Sequence, residues 1–220
     1  AYSDASVTPS FGYTEPAIDA DGNVYVISGN TLVKISNSGA QAWTKALSMW
    51  GGNCPDVTPS LEADGSVVYT AGGTDDAVGV YALNAADGSE KWTIGHDAFF
   101  RQNITNKLSF WRAGVAVGDN HLFVSCTRGH SINAFSKNDG SRTTYASTTG
   151  DGSQMHYSLT NSPVLTKDGV VAAKAGAGMV GANRSLMENP SEDFKTTDQD
   201  YYVPCGIYTT YKQWGFNDRA

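Results

Sequence analysis

Oxygen-bearing side chains are concentrated near the N-terminus, in residues 19–23, which read Asp-Ala-Asp-Gly-Asn. Alternating carboxylate and amide oxygens around a glycine are the pattern with which a calcium loop wraps its ion. An EF-hand loop would also need a bidentate glutamate at its last position, where this chain has Asn30. Residues 62–66 and 118–120 occupy the equivalent positions in later repeats of the sequence. The feature common to all three segments is a set of residues suited to a tight turn. We therefore expect a hairpin turn and no metal site.

The other residue types that commonly carry chemistry are scattered. The histidines and cysteines show none of the short spacings that build a transition-metal site. There is no G-x-S-x-G elbow and no Walker loop, and residues 176–181 match G-x-G-x-x-G where we expect no helix to follow. We therefore predict no catalytic residues and no cofactor. The scattered residues are His96, His121, His130, His156, Cys54, Cys126 and Cys205.

Composition favours an all-β protein and excludes two kinds of partner. The 220 residues include 24 glycines and 11 tyrosines, and only 17% are charged, which suits turn-rich strands better than helices. The net charge of −7 and the absence of a basic run argue against nucleic acid. No run of 18 apolar residues predicts insertion into a membrane. The three cysteines permit at most one internal disulfide, so cysteine content alone says little about whether the protein resides in an oxidising or a reducing compartment.

Internal repetition is the strongest signal in the sequence. Residues 14–26 and 58–69 each run from a proline-led strand through an Asp-Gly turn to a strand containing tyrosine. An alternating third strand follows, then a glycine turn at Gly39 or Gly88, then a closing strand with Trp43 or Trp92. A third unit is recognisable but has lost the tryptophan, and a fourth begins at residue 162 and then decays. Equivalent prolines and tryptophans are roughly 43 to 54 residues apart, the size of one β-propeller blade.

These units predict the domain organisation. We expect an all-β chain of about four four-stranded meanders, and their approximate limits are residues 12–50, 56–98, 111–148 and 160–180. The blades would occupy residues 1–175. Residues 176–220 would form a C-terminal closing segment or an arm onto another chain.

Residues 82–92, which read Ala-Leu-Asn-Ala-Ala-Asp-Gly-Ser-Glu-Lys-Trp, closely resemble the signature of pyrroloquinoline-quinone-like propeller repeats. This family includes quinoprotein alcohol dehydrogenases and outer-membrane assembly lipoproteins. The resemblance implies that Trp43 and Trp92 are structural and stack between neighbouring blades against the glycine turns. A quinone enzyme of this family would need calcium ligands, a catalytic aspartate and often a vicinal cysteine pair, and no two cysteines are adjacent here. The resemblance therefore implies the scaffold without the chemistry.

Four blades are fewer than the seven or eight that such propellers usually carry. A stack of repeats with an uncovered end exposes an apolar face to water. The four blades could close on themselves, two copies could combine to make eight, or the chain could be part of a longer propeller. The sequence leaves these alternatives open.

Aromatic and arginine side chains in the connections between units are the best candidates for a binding surface. We predict Trp50, Phe99, Arg101 and Trp111 as binding residues; the alternative is that these loops pack on one another. Asn103 and Asn183 head glycosylation sequons, which favours an extracellular or periplasmic protein. The leading hypothesis is a non-catalytic interaction module that assembles with itself or with a propeller-completing subunit. The alternative is a carbohydrate-binding or quinone-dependent propeller.

Overall fold

A computed structural model describes residues 15–47, 58–72, 79–95, 114–126, 131–147, 162–167, 169–175, 178–194 and 202–209. Strands dominate this part of the chain, and the prediction of an all-β fold is confirmed. One short helix, α1 (Arg184–Glu188), and a 3₁₀ turn (Glu192–Phe194) are its helical elements. The strands group into four consecutive antiparallel meanders, named units 1 to 4 here.

Each unit contributes four strands in the order of the sequence. The strands of units 1 and 2 are β1 (Ala17–Ile18), β2 (Val24–Ser28), β3 (Thr31–Ile35), β4 (Gln41–Ala46), β5 (Ser60–Leu61), β6 (Val67–Gly72), β7 (Gly79–Asn84) and β8 (Glu90–Gly95). The strands of units 3 and 4 are β9 (Val115–Val117), β10 (His121–Cys126), β11 (Ser131–Ser136), β12 (Arg142–Ser147), β13 (Val164–Leu165), β14 (Val170–Ala175), β15 (Gly178–Asn183) and β16 (Tyr202–Thr209).

The units are built to the same register. A bulge interrupts the pairing of the third and fourth strands at Lys34/Ile35, at Ala82/Leu83 and at Ala134/Phe135. The turn between the third and fourth strands is one residue shorter in unit 1 than in units 2 and 3. In unit 1 it closes from the Ser36 amide to the Ala40 carbonyl, whereas units 2 and 3 use one more residue between the bonded groups. The repeat read from the sequence is therefore a repeat of backbone geometry.

The core lies between consecutive units, because the inner strands are apolar on both faces. All six residues of β6 are buried, for example. Three clusters of buried side chains fill the three joints. The joint of units 1 and 2 contains Tyr25, Ile27, Leu32, Trp43, Leu47, Val68, Tyr81, Leu83 and Ala85. That of units 2 and 3 contains Val67, Tyr69, Ala71, Val80, Ala82, Trp92, Val115, Leu122, Val124 and Phe135. That of units 3 and 4 contains Phe123, Ile132, Ala134, Ala146, Ala182 and Met187.

Strand β16 links two units by their edges. It pairs antiparallel with β15 as the fourth strand of unit 4, and parallel with β12, the fourth strand of unit 3. Units 3 and 4 therefore share one eight-stranded sheet. Residues 176–220, which the sequence assigned to a closing segment or arm, contribute β15, α1 and β16 to this sheet and its flank.

Candidate interaction surface

The joint of units 1 and 2 is built around Trp43. Its indole Nε1 donates a hydrogen bond to the Ala85 carbonyl at 3.1 Å, and the side chain is 9% exposed. The ring lies against the backbone of Gly88, where a Cβ would come within 2.7 Å of Cε3. Gly88 also has a φ of 73°, a conformation that glycine adopts without strain. Two independent requirements therefore fix a glycine at this position.

The joint of units 2 and 3 repeats this arrangement. Trp92 Nε1 donates to the Lys137 carbonyl at 2.9 Å. Gly140 has a φ of 73°, and a Cβ there would lie 2.6 Å from Cε3 of Trp92. Tyrosines pack against both indoles, with ring centroids 6.0 Å apart for Tyr25 and Trp43. An indole suits such a joint because it combines a large apolar area with one donor.

The joint of units 3 and 4 uses a smaller donor. Thr144 pairs with Ala134 at the register where Trp92 pairs with Ala82. Its hydroxyl donates to the Met187 carbonyl at 2.7 Å, and both residues are buried. Met187 lies in α1, which begins directly after β15. This joint therefore keeps a side-chain hydrogen bond to a backbone carbonyl that follows the third strand of the next unit. It has no tryptophan ring at this position.

Acidic side chains fix the first turn of units 1 and 2. Both oxygens of Asp19 accept hydrogen bonds from donors within the turn, and the donors are Asp21 N, Asn23 N, Asn23 Nδ2 and Tyr25 Oη. Although burial acts in the opposite direction, these bonds lower the pKa of Asp19. Burial and the bond to Asp19 raise the pKa of Tyr25. Asp19 thus serves the turn that the sequence likened to a calcium loop.

Unit 2 extends this arrangement across the joint. Tyr69 Oη donates to Glu62 Oε2 at 3.0 Å, and Lys137 Nζ of unit 3 lies 2.7 Å from the same oxygen. Lys137 also donates to the Gly118 carbonyl at 3.0 Å. Burial opposes ionisation of Glu62, but the bonds from Lys137 and Tyr69 prevail and lower its pKa. Unit 3 has Phe123 in place of the tyrosine, so its first turn has no hydrogen bond between a tyrosine hydroxyl and a carboxylate.

A cleft of about 440 Å³ lies between units 1 and 2. Ala85 stands there at the register where unit 3 has Lys137, so no long side chain from the turn crosses the joint. Lys34 enters from unit 1 instead and donates to the Ala85 carbonyl at 2.9 Å. Asp19, Asp21 and Asp87 also line the cleft, which gives it a polar and mainly acidic wall.

Each end of the described stack carries an exposed apolar side chain. Leu61, Val117 and Leu165 are equivalent residues of the first strand, and each is half-buried against the preceding unit. Ile18 is their equivalent in unit 1 and is 63% exposed. At the other end Val164, which faces away from unit 3, is 58% exposed. We call these surfaces the leading face of unit 1 and the trailing face of unit 4.

Some of the residues that the sequence singled out lie in the described part of the chain, and others lie outside it. Gly39 has a φ of 84°, and a Cβ built there meets no described atom within 4 Å, in contrast to Gly88. Asn183 is exposed, and its side chain caps α1 by accepting a bond from the Leu186 amide at 3.1 Å. The predicted residues that lie outside the described part of the chain are Trp50, Phe99, Arg101, Trp111, Asn103 and Cys54.

Sequence reasoning missed Glu62, Lys137 and Thr144. Aligning units 2 and 3 by their turn glycines, Gly88 and Gly140, would have placed Thr144 at the position of Trp92. The link between Glu62 and Lys137 has no such signal, since 75 residues separate them. Ile18 follows the strand alternation, but the alternation does not give its exposure, which depends on tertiary contacts.

The residues that the structure describes do not fit a metal. Within them no three His, Cys, Asp or Glu side chains are grouped to hold an ion. Asp19, the best oxygen ligand of the sequence pattern, has its oxygens taken by the turn. Over the same residues, no helix is long and apolar enough to span a bilayer.

Comparison with solved structures shows the same fold. BamB from Moraxella catarrhalis superposes with a TM-score of 0.55 at 14% identity over 80% of this chain and 47% of its own. Quinohemoprotein alcohol dehydrogenase from Comamonas testosteroni gives 0.58 at 15% identity, over 79% of this chain and 33% of its own. A europium-containing methanol dehydrogenase gives 0.61 at 11% identity, over 95% and 43%. This chain spans less than half the length of each, consistent with an incomplete propeller.

Comparison at the level of sequence gives the family. No curated protein matches the chain. A family model described as outer membrane protein assembly factor BamB matches residues 6–98 and, in an overlapping alignment, residues 28–186. The matches cover most of units 1 to 4 and include Trp43, Gly88, Trp92 and Gly140. The chain therefore belongs to the pyrroloquinoline-quinone-like propeller repeat family.

Proposed function

We propose that this chain is a non-catalytic β-propeller module that mediates protein assembly in the periplasm or outside the cell. The observation that carries the proposal is the exposure of two apolar side chains, Ile18 and Val164, at opposite ends of the described units. Inner joints of the same stack partly bury the residues equivalent to Ile18. A repeat array needs a cap or a neighbour at each end to keep such faces from water.

The family match supports an assembly role. The matching model is described as an assembly factor, and a solved relative in fold is BamB. The acidic wall of the cleft and the net charge of −7 disfavour anionic partners and suit a protein surface.

Light scattering after size exclusion tests the proposal on the full chain. We expect a particle of at least twice the 23.3 kDa of one chain at micromolar concentration, since apolar faces of this kind associate. The variant Ile18→Asp places a charge on the leading face and should reduce association. Thr93→Asp, which places the same charge at an exposed position of β8, is the matched control and should not.

A strict monomer at all concentrations, with fast hydrogen exchange in β1 and β13, would contradict self-assembly. The same monomer with slow exchange in these strands would mean that other segments of the chain cover both ends. That result would also count against the proposal.

The cleft between units 1 and 2 favours a second candidate, a propeller that binds a small polar ligand such as a carbohydrate. Its walls offer carboxylates, amides and Lys34 as hydrogen-bonding groups. A thermal-shift screen of neutral and amino sugars tests it. The quinone-dependent variant of this candidate predicts dye-linked oxidation of alcohols or sugars after addition of quinone and calcium. The absence of both a shift and oxidation would remove the second candidate.

A further inference from the structure

The cleft between units 1 and 2 lies where the joint of units 2 and 3 holds a lysine side chain. We propose that this cleft binds the ammonium group of a lysine from a partner protein, in the place equivalent to that of Lys137. The inference rests on the proposed function, because it names the chemistry by which the assembly module would recognise a protein partner.

The joint of units 2 and 3 shows how this fold holds an ammonium group. Lys137 of unit 3 reaches back to unit 2, where Nζ lies 2.8 Å from Oε1 and 2.7 Å from Oε2 of Glu62. It also donates to the Gly118 carbonyl at 3.0 Å. Asp64 lies in the same first turn as Glu62, and its pKa is lowered mainly by bonds from Ser66 and in part by the charge of Lys137. One ammonium group thus interacts with two carboxylates of the preceding unit.

Unit 1 presents the same first turn to unit 2. Strand pairing places Asp19 at the position of Glu62, and Asp21 at that of Asp64. In both units the glycine after the second acid donates its amide to the carbonyl of the first. In both, a tyrosine of the second strand donates its hydroxyl to the first acid. The carboxylates that attract Lys137 therefore have counterparts in the joint of units 1 and 2.

Unit 2 has no lysine at the position of Lys137. Ala85 stands there, since its carbonyl accepts the indole of Trp43 as the Lys137 carbonyl accepts that of Trp92. A cleft of about 440 Å³ opens beside this alanine, which is within the range of small-ligand sites. The place of the lysine side chain is therefore available to a lysine from elsewhere.

The walls of the cleft carry an excess of negative charge. Asp19, Asp21 and Asp87 are accompanied by one lining cation, Lys34. Its Nζ donates to a backbone carbonyl of unit 2 at 2.9 Å and lies 5.2 Å from the centroid of the Tyr25 ring. Three carboxylates beside one ammonium group favour a second cation in the cleft.

Asp21 and Asp87 are the carboxylates placed to bind this cation. The oxygens of Asp19 accept bonds from donors of its own turn. Asp21 uses its backbone in that turn, donating to Asp19 and accepting from Asn37. Asp87 accepts from the Ser89 amide through Oδ1. Because the described acidic side chains are not grouped to hold a metal ion, the cation that fits is an ammonium group on a flexible chain.

The first experiment uses a single lysine as the probe. The full, ¹⁵N-labelled chain is titrated at low ionic strength with N-acetyl-L-lysine methylamide, and the Nε-acetylated derivative is the uncharged control. We expect saturable shifts of the Ser66 and Ala86 amides, which line the cleft, with a dissociation constant on the order of millimolar. Gly118, whose carbonyl already binds Lys137, should not shift. Absent shifts at Ser66 and Ala86, or equal shifts with both derivatives, would overturn the proposal.

Butylamine separates a lysine of a protein from a free amine. Ser66 and Asn84 line the cleft with hydroxyl and amide groups that can bond the peptide groups flanking a lysine. The lysine derivative should therefore bind more tightly than butylamine, although both carry one charge. Equal affinities would refute the protein source.

The second experiment fills the cleft from within. Ala85→Lys gives unit 2 the lysine that unit 3 has, and should weaken the probe by about tenfold or more, because a tethered ammonium group competes at high effective concentration. Asn138→Lys adds the same charge at an exposed position of the unit 3 turn and should leave binding unchanged. Undiminished binding in Ala85→Lys would contradict the proposed place of the ammonium group.

A milder pair of variants keeps the size of every side chain. Asp21→Asn should weaken the probe by about threefold, the value of a partly exposed ion pair. Asp64→Asn, the equivalent change in unit 2, should leave binding in the cleft unchanged. Equal effects of the two variants would mean that the probe senses the overall charge, and would count against a site at Asp21.

The two proposals fail separately. If the chain assembles with itself but the lysine probe shifts nothing in the cleft, the ammonium site is wrong and the assembly function stands. If the chain stays monomeric and the probe binds in the cleft, the site stands and self-assembly is wrong.

Discussion

Gly39, Gly88 and Gly140 occupy equivalent turns in three consecutive units, with φ angles of 84°, 73° and 73°, and within the described residues Gly88 and Gly140 lie against an indole whereas Gly39 does not. Replacing each by alanine separates two costs. All three variants force an L-residue into the left-handed region. Among the described contacts, Gly88→Ala and Gly140→Ala also drive a methyl group into a tryptophan ring, at 2.7 and 2.6 Å from Cε3.

The magnitudes follow from these two costs. The left-handed backbone costs a non-glycine residue about 1 kcal/mol, partly offset by the lower entropy of the unfolded chain. Overpacking adds about 1–3 kcal/mol when the neighbour cannot move. Trp43 is held by its bond to Ala85 and is almost fully buried. We expect a loss in the free energy of unfolding of about 1 kcal/mol for Gly39→Ala and about 2–4 kcal/mol for the other two.

Urea unfolding followed by far-UV circular dichroism measures the differences, provided that the slopes of the transitions agree. A double-variant cycle supplies the control. In the background of Trp43→Leu, Gly88→Ala should cost no more than Gly39→Ala, because the ring is gone. Equal losses at Gly39 and Gly88 in the wild-type background would refute the argument that the indole contact requires a glycine.

Two further variants address the other joints. Lys137→Met should lower the free energy of unfolding by about 1–3 kcal/mol near pH 7, because it leaves Glu62 partly buried without its cation. Since the folded state lowers the pKa of Glu62, its stabilising effect is present above the ordinary pKa and is lost as pH falls through the lowered one. Urea midpoints between roughly pH 3 and 7 should therefore depend less on pH in Lys137→Met, whereas Lys45→Met, at an exposed ion pair, should change little at any pH. Thr144→Val should cost about 1–2 kcal/mol by leaving the Met187 carbonyl unpaired, and Thr144→Ser should retain most of the stability; equal losses for the serine and valine variants would contradict the role of this bond.

The sequence predicted the elements that local pattern controls. These elements are the strands and tight turns of the four-stranded meander, since each unit repeats the alternation and turn residues that fix a hairpin. Family membership is also confirmed, because the pattern ending in Trp92 is dense enough to be specific. Trp43 and Trp92 could be assigned to joints only through the resemblance, since composition does not say what an indole touches.

Other features depend on contacts that no local pattern carries. The parallel pairing of β16 with β12 joins segments far apart in sequence, and the residues of neither strand indicate which strand it pairs with. The helix α1 moves the acceptor carbonyl to Met187, so that a threonine suffices where the other joints need a tryptophan. The predicted binding residues Trp50, Phe99, Arg101 and Trp111 lie outside the described part of the chain and remain predictions.

The position of β16 sets an order of events during synthesis. Units 1 and 2 are hairpin-connected meanders whose strands pair with near neighbours, so each can form soon after it leaves the ribosome. The outer edge of unit 3, strand β12, pairs with β16, which lies about 60 residues further along the chain. Closing a loop of this length is slow. Until β16 arrives, β12 presents an unpaired edge that other chains could join. Chaperone dependence and misassembly should therefore concentrate in the C-terminal half, and a ribosome stalled before residue 202 would carry a nascent chain that is protease-resistant in units 1 and 2 and sensitive in unit 3.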